Sequence, residues 1–298
     1  MVHLCERAFS TSLQEDLQYL RCLLVYLISF IGNLVILLLV CCVSQLHTSM
    51  YFFLSNLSIL DILYTSSTLP KLLFTLWTGD KTVSYTGCIT QLFSFLFCAD
   101  AESLLLSSMA IDRYVAVCKP LHYLLIMSKT NCALLASLTW CTAAVNAFIF
   151  SWLIAGLSFC GLNNISNFFC DLKALLSISC TETRFLRRLL FVDTIFIGIV
   201  PFFITLTSYI FIIFTILKIQ SSEGKQKAFS SCSSHICVVF LYYVSAFCLY
   251  LRDSQEGDMY LSLMFTHLVP MLNPLIYSLR NKEILRAMTR VIYGKINQ

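Results

Sequence analysis

The chain has 298 residues, of which 58% are hydrophobic and only 12% charged, with a formal net charge of +4 at pH 7. With a mean hydropathy of +0.80 it lacks the polar surface a soluble domain needs, so most of it belongs in lipid. The small positive charge, without a basic tract interleaved with aromatics, gives no reason to expect nucleic acid as a partner.

A helix needs about 20 residues to cross the hydrocarbon layer, and seven segments qualify. They fall at about 22–43, 50–74, 85–117, 132–155, 189–217, 228–251 and 259–279. The first is too long for a secretory apolar core and has no small-residue cleavage site after it, which predicts an uncleaved signal-anchor span. The fourth lies within the charge-free stretch Thr130–Cys170. No repeat of 20–50 residues, low-complexity segment or interdomain linker interrupts the series, so one all-α membrane domain covers 1–298. In the tail at 280–298, Ile284, Leu285, Met288 and Ile292 share one helical face and Lys282, Arg286 and Arg290 fall away from it. That pattern predicts a short amphipathic helix lying in the interface on anionic lipid.

Charges inside a span are costly and usually functional. Asp61 sits mid-way along the second segment and Glu102 mid-way along the third, with Asp100 one turn-fraction away and Asp193 in the fifth. Asp61 and Glu102 lie at similar depth and can share a proton or a cation, or simply glue helices by hydrogen bonding. Nothing in the chain resembles a nucleophile–base pair, a phosphate-binding Gly loop or a zinc motif, which argues against an enzyme. His235 has no metal-ligand spacing around it. Cys88, Cys160, Cys170 and Cys180 fall in loops or at a helix end on one side. They allow three connectivities, and spacing alone does not choose among them. Most other cysteines read as reduced small hydrophobes.

The most informative string is Met109-Ala-Ile-Asp-Arg-Tyr-Val-Ala-Val-Cys-Lys-Pro-Leu-His-Tyr123, which ends the third apolar run. An Arg there keeps its stem in the apolar layer while its head finds an interface or an acidic neighbour, here Asp112. The string resembles the end of the third helix in rhodopsin-like G-protein-coupled receptors, and its flanks resemble the olfactory receptor family. Further matches run in the same order: Gly32-Asn33, Leu46-His-Thr-Ser-Met-Tyr-Phe-Phe-Leu-Ser-Asn-Leu-Ser58, Ser208-Tyr209, Lys227-Ala-Phe-Ser-Ser-Cys-Ser-Ser-His-Ile236 and Pro270-Met-Leu-Asn-Pro-Leu-Ile-Tyr277. Pro274 removes a backbone donor, making a kink and a hinge in the seventh segment.

The resemblance implies a seven-helix receptor in the plasma membrane, with residues 1–20 outside and 280–298 in the cytoplasm. It assigns coupling and activation to Asp112, Arg113, Tyr114, Tyr209, Asn273, Pro274 and Tyr277. It pairs Cys88 with Cys170 and Cys160 with Cys180, and in the wider receptor class the Asp61 position holds sodium. It places a ligand pocket in the outer half, where Phe95, Leu96, Ala99, Asp100 and Ser103 would line the third helix. Thr194 and Ile197 would join from the fifth helix, and Tyr243, Ala246, Phe247 and Tyr250 from the sixth. A packed helix interface would show the same spacing. The implied partners are a small volatile organic ligand, a stimulatory heterotrimeric G protein that raises cyclic AMP, and membrane lipid. The chain departs from the family pattern in four ways. Ser49 replaces a Pro, Val244 replaces a Gly and Lys173 replaces a Pro, and the N-terminal segment has no glycosylation sequon, leaving Asn164-Ile-Ser166 as the outer one. The alternative from another class is an ion-coupled transporter or channel using Asp61, Glu102 and Asp100, although such proteins often show internal repeats.

Overall fold

The computed structural model describes residues 2–4, 12–160, 164–165, 167–250 and 262–292. Among these residues eight principal helices follow one another: α1 (Ser12–Cys42), α2 (Ser49–Thr78), α3 (Tyr85–Cys118), α4 (Lys129–Ala155), α5 (Arg184–Lys218), α6 (Ser222–Tyr250), α7 (Met264–Leu268 continuing as Val269–Arg280) and α8 (Lys282–Ile292). Several begin earlier than hydropathy places them. α1 starts ten residues before position 22, and α6 starts at Ser222, because polar turns such as Ser222-Glu-Gly-Lys-Gln-Lys227 extend helices beyond the apolar layer.

Local signals set the boundaries. Ser84 caps α3 by accepting from the Gly87 N–H at 3.1 Å, and Ser128 caps α4 through the Asn131 N–H at 3.3 Å. Gly79 closes α2 in the left-handed region at φ 71°, its N–H bonding Thr75 O at 2.9 Å, which a glycine adopts without a Cβ penalty.

α3 is the axis of the bundle: 67% of its apolar window is buried, against 11% for α5, whose Phe196, Phe203, Phe211 and Phe214 face outward. An apolar exterior over a mixed interior is what a lipid solvent demands. α1, α3, α4, α5 and the Cys232–Leu249 part of α6 are each long and apolar enough to cross a membrane. α2 and α7 are not among these five. Their burial between other helices lets them carry Asp61, Thr65, Thr68, Thr266, His267 and Asn273 inside. Trp140 of α4 donates to Asn56 Oδ1 of α2 at 2.8 Å, tying the two across the face of α3.

At one end, strands β1 (Val2–Leu4), β2 (Thr82–Val83) and β3 (Asn164–Ile165) form a small sheet in the order β2-β1-β3, antiparallel on one side of β1 and parallel on the other. This end also holds both disulfides, Cys88–Cys170 and Cys160–Cys180. At the opposite end α8 packs Ile284 and Ala287 inward, while Leu285 is 47% exposed. Of the stripe read as lipid-facing, Leu285 is exposed and free to meet lipid whereas Ile284 turns inward against the bundle; Arg286 and Arg290 are exposed, and the side chains of Lys282 and Ile292 lie outside the described set.

Candidate functional site

Two helix-breaking prolines organise the interior. Pro274 has no N–H, so the carbonyl of Pro270 one turn earlier loses its helical donor. Asn33 of α1 supplies a replacement, its Nδ2 donating to Pro270 O at 3.3 Å and to Ser29 O at 3.0 Å. Gly32 makes this approach possible, since a Cβ there would meet Pro274 Cβ and Cγ at 3.0 Å. In α5, Pro201 likewise frees the carbonyl of Ile197, next to a π-helical turn at Thr194–Ile199. Ser103 of α3 donates to that oxygen at 2.8 Å, and Ser107 donates to Pro201 O at 3.0 Å. Thr205 extends this hydroxyl chain to Ser107 at 3.3 Å. Each kink is thus paired by a side chain from a neighbouring helix, as an apolar solvent requires.

Mid-bundle, Asn273 of α7 donates its Nδ2 to both carboxylate oxygens of Asp61 at 3.1 Å, and the same amide is within reach of Glu102. Asp61, Glu102 and Asn273 are each 1% exposed. Among the described residues, Glu102 Oε1, Asn273 Oδ1 and the Tyr277 hydroxyl are buried without a hydrogen-bond partner.

At the end away from the disulfides, Arg113 grips Asp112 Oδ2 through Nε at 3.0 Å and through Nη2. Asp112 is fully buried and Arg113 is 9% exposed. The other carboxylate oxygen, Oδ1, accepts from Ser49 Oγ at 2.5 Å and Tyr123 OH at 3.0 Å. Burial and the adjacent Asp112 carboxylate push the Tyr123 phenol above its ordinary value, so it remains a donor. Beside this pair, Tyr209 of α5 hydrogen-bonds His235 Nδ1 of α6, and Ala110, Tyr209, Ile212 and Cys232 pack as one apolar seam. Tyr114 leaves the interior and lies against Phe211, with Lys119 5.8 Å above its ring. Tyr51 donates to Asn281 Oδ1 at 3.1 Å and Glu283 Oε2 at 2.7 Å, fastening α8 to α2.

A profile of the olfactory receptor family matches residues 22–295. The chain is 44% identical to Olfactory receptor 1E1 of Homo sapiens over 286 residues, covering 95% of this chain and 91% of that one. It is 45% identical to Olfactory receptor 1496 of Rattus norvegicus over 282 residues, covering 93% and 91%. It is also 44% identical to Olfactory receptor 2C1 of Mus musculus over 271 residues, covering 90% and 87%. The chain belongs to the olfactory receptor family. It is a seven-transmembrane, G-protein-coupled odorant receptor of the plasma membrane and not an enzyme, and the transporter reading loses its footing.

With that orientation, the disulfide end of the receptor is extracellular and the Asp112–Arg113 end cytoplasmic. In the outer half, the second extracellular loop drives Phe168 and Phe169 into the bundle. Phe169 lies 4.9 Å from Phe95, which contacts Tyr64, and Phe168 lies 5.3 Å from His267. His267 Nε2 shares a 3.0 Å hydrogen bond with Thr68. Gln91 locks the loop, accepting from the Cys170 N–H at 3.1 Å and donating to Ser67 O at 3.2 Å.

The residues read from sequence as pocket-lining separate into groups. Phe95 and Leu96 are buried in aromatic and aliphatic packing, and Ala99 O accepts from Tyr242 at 2.8 Å. Asp100 accepts from Asn146 Nδ2 at 2.8 Å, with Asp193 reaching the same amide, so it is a paired acid. Ser103 is tied to the α5 backbone. Tyr243 and Phe247 flank Phe202 at 5.0 and 5.3 Å, with Ala246 half-buried beside them, and the Tyr243 hydroxyl is buried without a hydrogen-bond partner among the described residues. Thr194 departs from the reading. It is exposed, standing on the outward face of α5 where the π-helical turn begins, and its hydroxyl is satisfied by Leu190 O at 2.8 Å. Ile197 is half-buried and lines a groove of about 350 Å³ between α4 and α5 with Cys141, Val145 and Asn146. The side chains of Tyr250 and Asn164 lie outside the described set, as does Ser166, so the sequon is not described beyond the Asn164 backbone in β3.

Sequence reasoning passed over Ser49, Tyr123, Asn146, Phe168, Phe169 and His267. Ser49 carried a signal, as a departure from the first-loop pattern. The loop phenylalanines had none, because an apolar residue in a loop does not reveal which cavity it enters.

Proposed function

We infer that this receptor binds a small, mostly apolar organic molecule in its outer half and activates a stimulatory, olfactory-type G protein, raising cyclic AMP. The supporting observation is the division of the bundle. Aromatic rings and hydroxyls from α3, α5, α6 and the second outer loop gather at one end, and a buried Asp112–Arg113 pair closes the other. A site of rings with few polar groups holds its ligand mainly by burial and takes orientation from Ser103, Tyr243 or Asn146. Binding that prefers an opened state of α6 would part Arg113 from Asp112 and admit a G-protein helix beside Tyr209 and Tyr114, with the Asn273-Pro274 kink and Tyr277 rearranging in α7.

The mid-bundle acids fit a monovalent cation such as sodium. Asp61, Glu102 and Asn273 would hold it, since Glu102 Oε1 and Asn273 Oδ1 are buried oxygens in want of a donor or a cation. A bound cation would supply positive charge that favours the closed arrangement of α2, α3 and α7. Nothing else in the reading depends on it.

The test is a panel of volatile compounds applied to cells expressing the receptor with a stimulatory G protein and a cyclic-AMP reporter. A ligand-dependent rise absent from untransfected cells supports the reading. A ligand-evoked ionic current without cyclic AMP would contradict it.

A further inference from the structure

We propose that Ser49 is a positioning residue for G-protein coupling, holding the Asp112 carboxylate satisfied when Arg113 leaves it. The proposal rests on the reading that Arg113 is released during activation. Its basis is the division of labour on one buried carboxylate. Oδ2 belongs to Arg113, whereas Oδ1 accepts from Ser49 Oγ at 2.5 Å and Tyr123 OH at 3.0 Å, and those two hydroxyls lie 2.5 Å apart. Asp112 has no exposed surface in this arrangement, so its carboxylate is satisfied by protein donors.

An ion pair of this kind is hard to open, because removing the cation strands the anion in an apolar interior. Two neutral donors on the opposite oxygen lower that penalty without competing for the guanidinium. Ser49 sits at the first turn of α2 and Tyr123 in the second cytoplasmic loop, both outside α6, so both donors stay in place while α6 moves. Removing one donor therefore weakens the opened state, with Tyr123 alone on the carboxylate, more than the closed one, where Arg113 still contributes. The hydroxyl stands where the resembled first-loop pattern has Pro.

That Pro makes a clean test. Ser49 is the first residue of α2, its N–H makes no backbone hydrogen bond among the described residues, and Thr48 before it is extended at ψ 164°. A proline fits such a position without harming the helix. Ser49→Pro and Ser49→Ala both delete the donor, and Ser49→Thr restores it. The receptor in lipid nanodiscs is titrated with nucleotide-free stimulatory G protein, which captures the opened state by mass action and needs no agonist. Both deletion variants should bind about tenfold more weakly, a loss of ~1.4 kcal/mol, slightly below what a whole hydrogen bond to a charged group contributes because the closed state loses part of the same bond. Ser49→Thr should bind within about twofold of wild type on the same scale. In an Asp112→Asn background, removing Ser49 should change nothing, whereas a merely structural role for Ser49 would add its full effect there. Arg113→Ala separates the two claims: if it binds G protein like wild type, the release reading fails. If it weakens binding while Ser49→Pro and Ser49→Ala do not, or if they strengthen it, the Ser49 proposal is wrong.

Discussion

Breaking the Cys88–Cys170 bond should remove the receptor from the cell surface, and breaking Cys160–Cys180 should only reduce it. The bonds close separations of 82 and 20 residues. Chain-entropy bookkeeping assigns a loop of the first size ~4.5 kcal/mol and one of the second ~3.3 kcal/mol. Burial widens the gap. Cys88 and Cys170 are 1% and 0% exposed, so a Ser at either site also buries a hydroxyl, at about 1–3 kcal/mol if it finds no partner. Cys160 and Cys180 are exposed, and a hydroxyl there is solvated. The first lesion therefore approaches the whole stability of a typical domain, about 5–15 kcal/mol. It also unties the loop segment that seats Phe168 and Phe169 in the bundle. The assay is flow cytometry of an N-terminal epitope on intact cells, against total expression. Cys88→Ser and Cys170→Ser should each fall to background, Cys160→Ser should keep an intermediate signal, and the Cys88→Ser/Cys170→Ser double variant should be no worse than either single. A near-normal surface signal from Cys88→Ser or Cys170→Ser, or a larger defect in Cys160→Ser, would refute the reasoning.

The interior supports two further expectations. Gly32→Val should push α1 from Pro274, costing about 1–3 kcal/mol as overpacking, and should lower the thermal midpoint of purified receptor; an unchanged midpoint would mean the helices slide apart freely. Asp61→Asn and Glu102→Gln should alter basal cyclic AMP, or its dependence on sodium and pH, more than they alter the rank order of agonists; surface-normalised curves that overlay wild type would remove the cation or proton site.

How much of this was legible beforehand varies with the kind of residue. Asp112, Arg113, Asn273 and Pro274 stand out because a charge or a helix breaker in an apolar run has few explanations, and their neighbours in sequence repeat a family pattern. Asn33 and Gly32 carry the same kind of signal, yet the carbonyl that Asn33 serves, 237 residues away, is invisible until the Pro274 kink is placed against α1. The outer half reads poorly for a physical reason. Phe95, Leu96 and Phe247 keep the same helical spacing whether they face a ligand or another ring, and Thr194 stands outward beside a π-helical turn whose change of phase regular spacing does not encode. Asp100 read as ligand-facing or paired, and spacing did not choose because its partner Asn146 sits on another helix. Boundaries drifted for a similar reason, since polar residues lengthen a helix past the point where hydropathy ends.

The central claim is that ligand binding in the outer half is transmitted to a G protein through Arg113. Its most direct test compares wild type and Arg113→Ala, matched for surface level, in cyclic-AMP dose–response to an agonist found by the volatile panel. The account predicts a saturating response in wild type and none in Arg113→Ala. A full response from the surface-expressed Arg113→Ala receptor would contradict it.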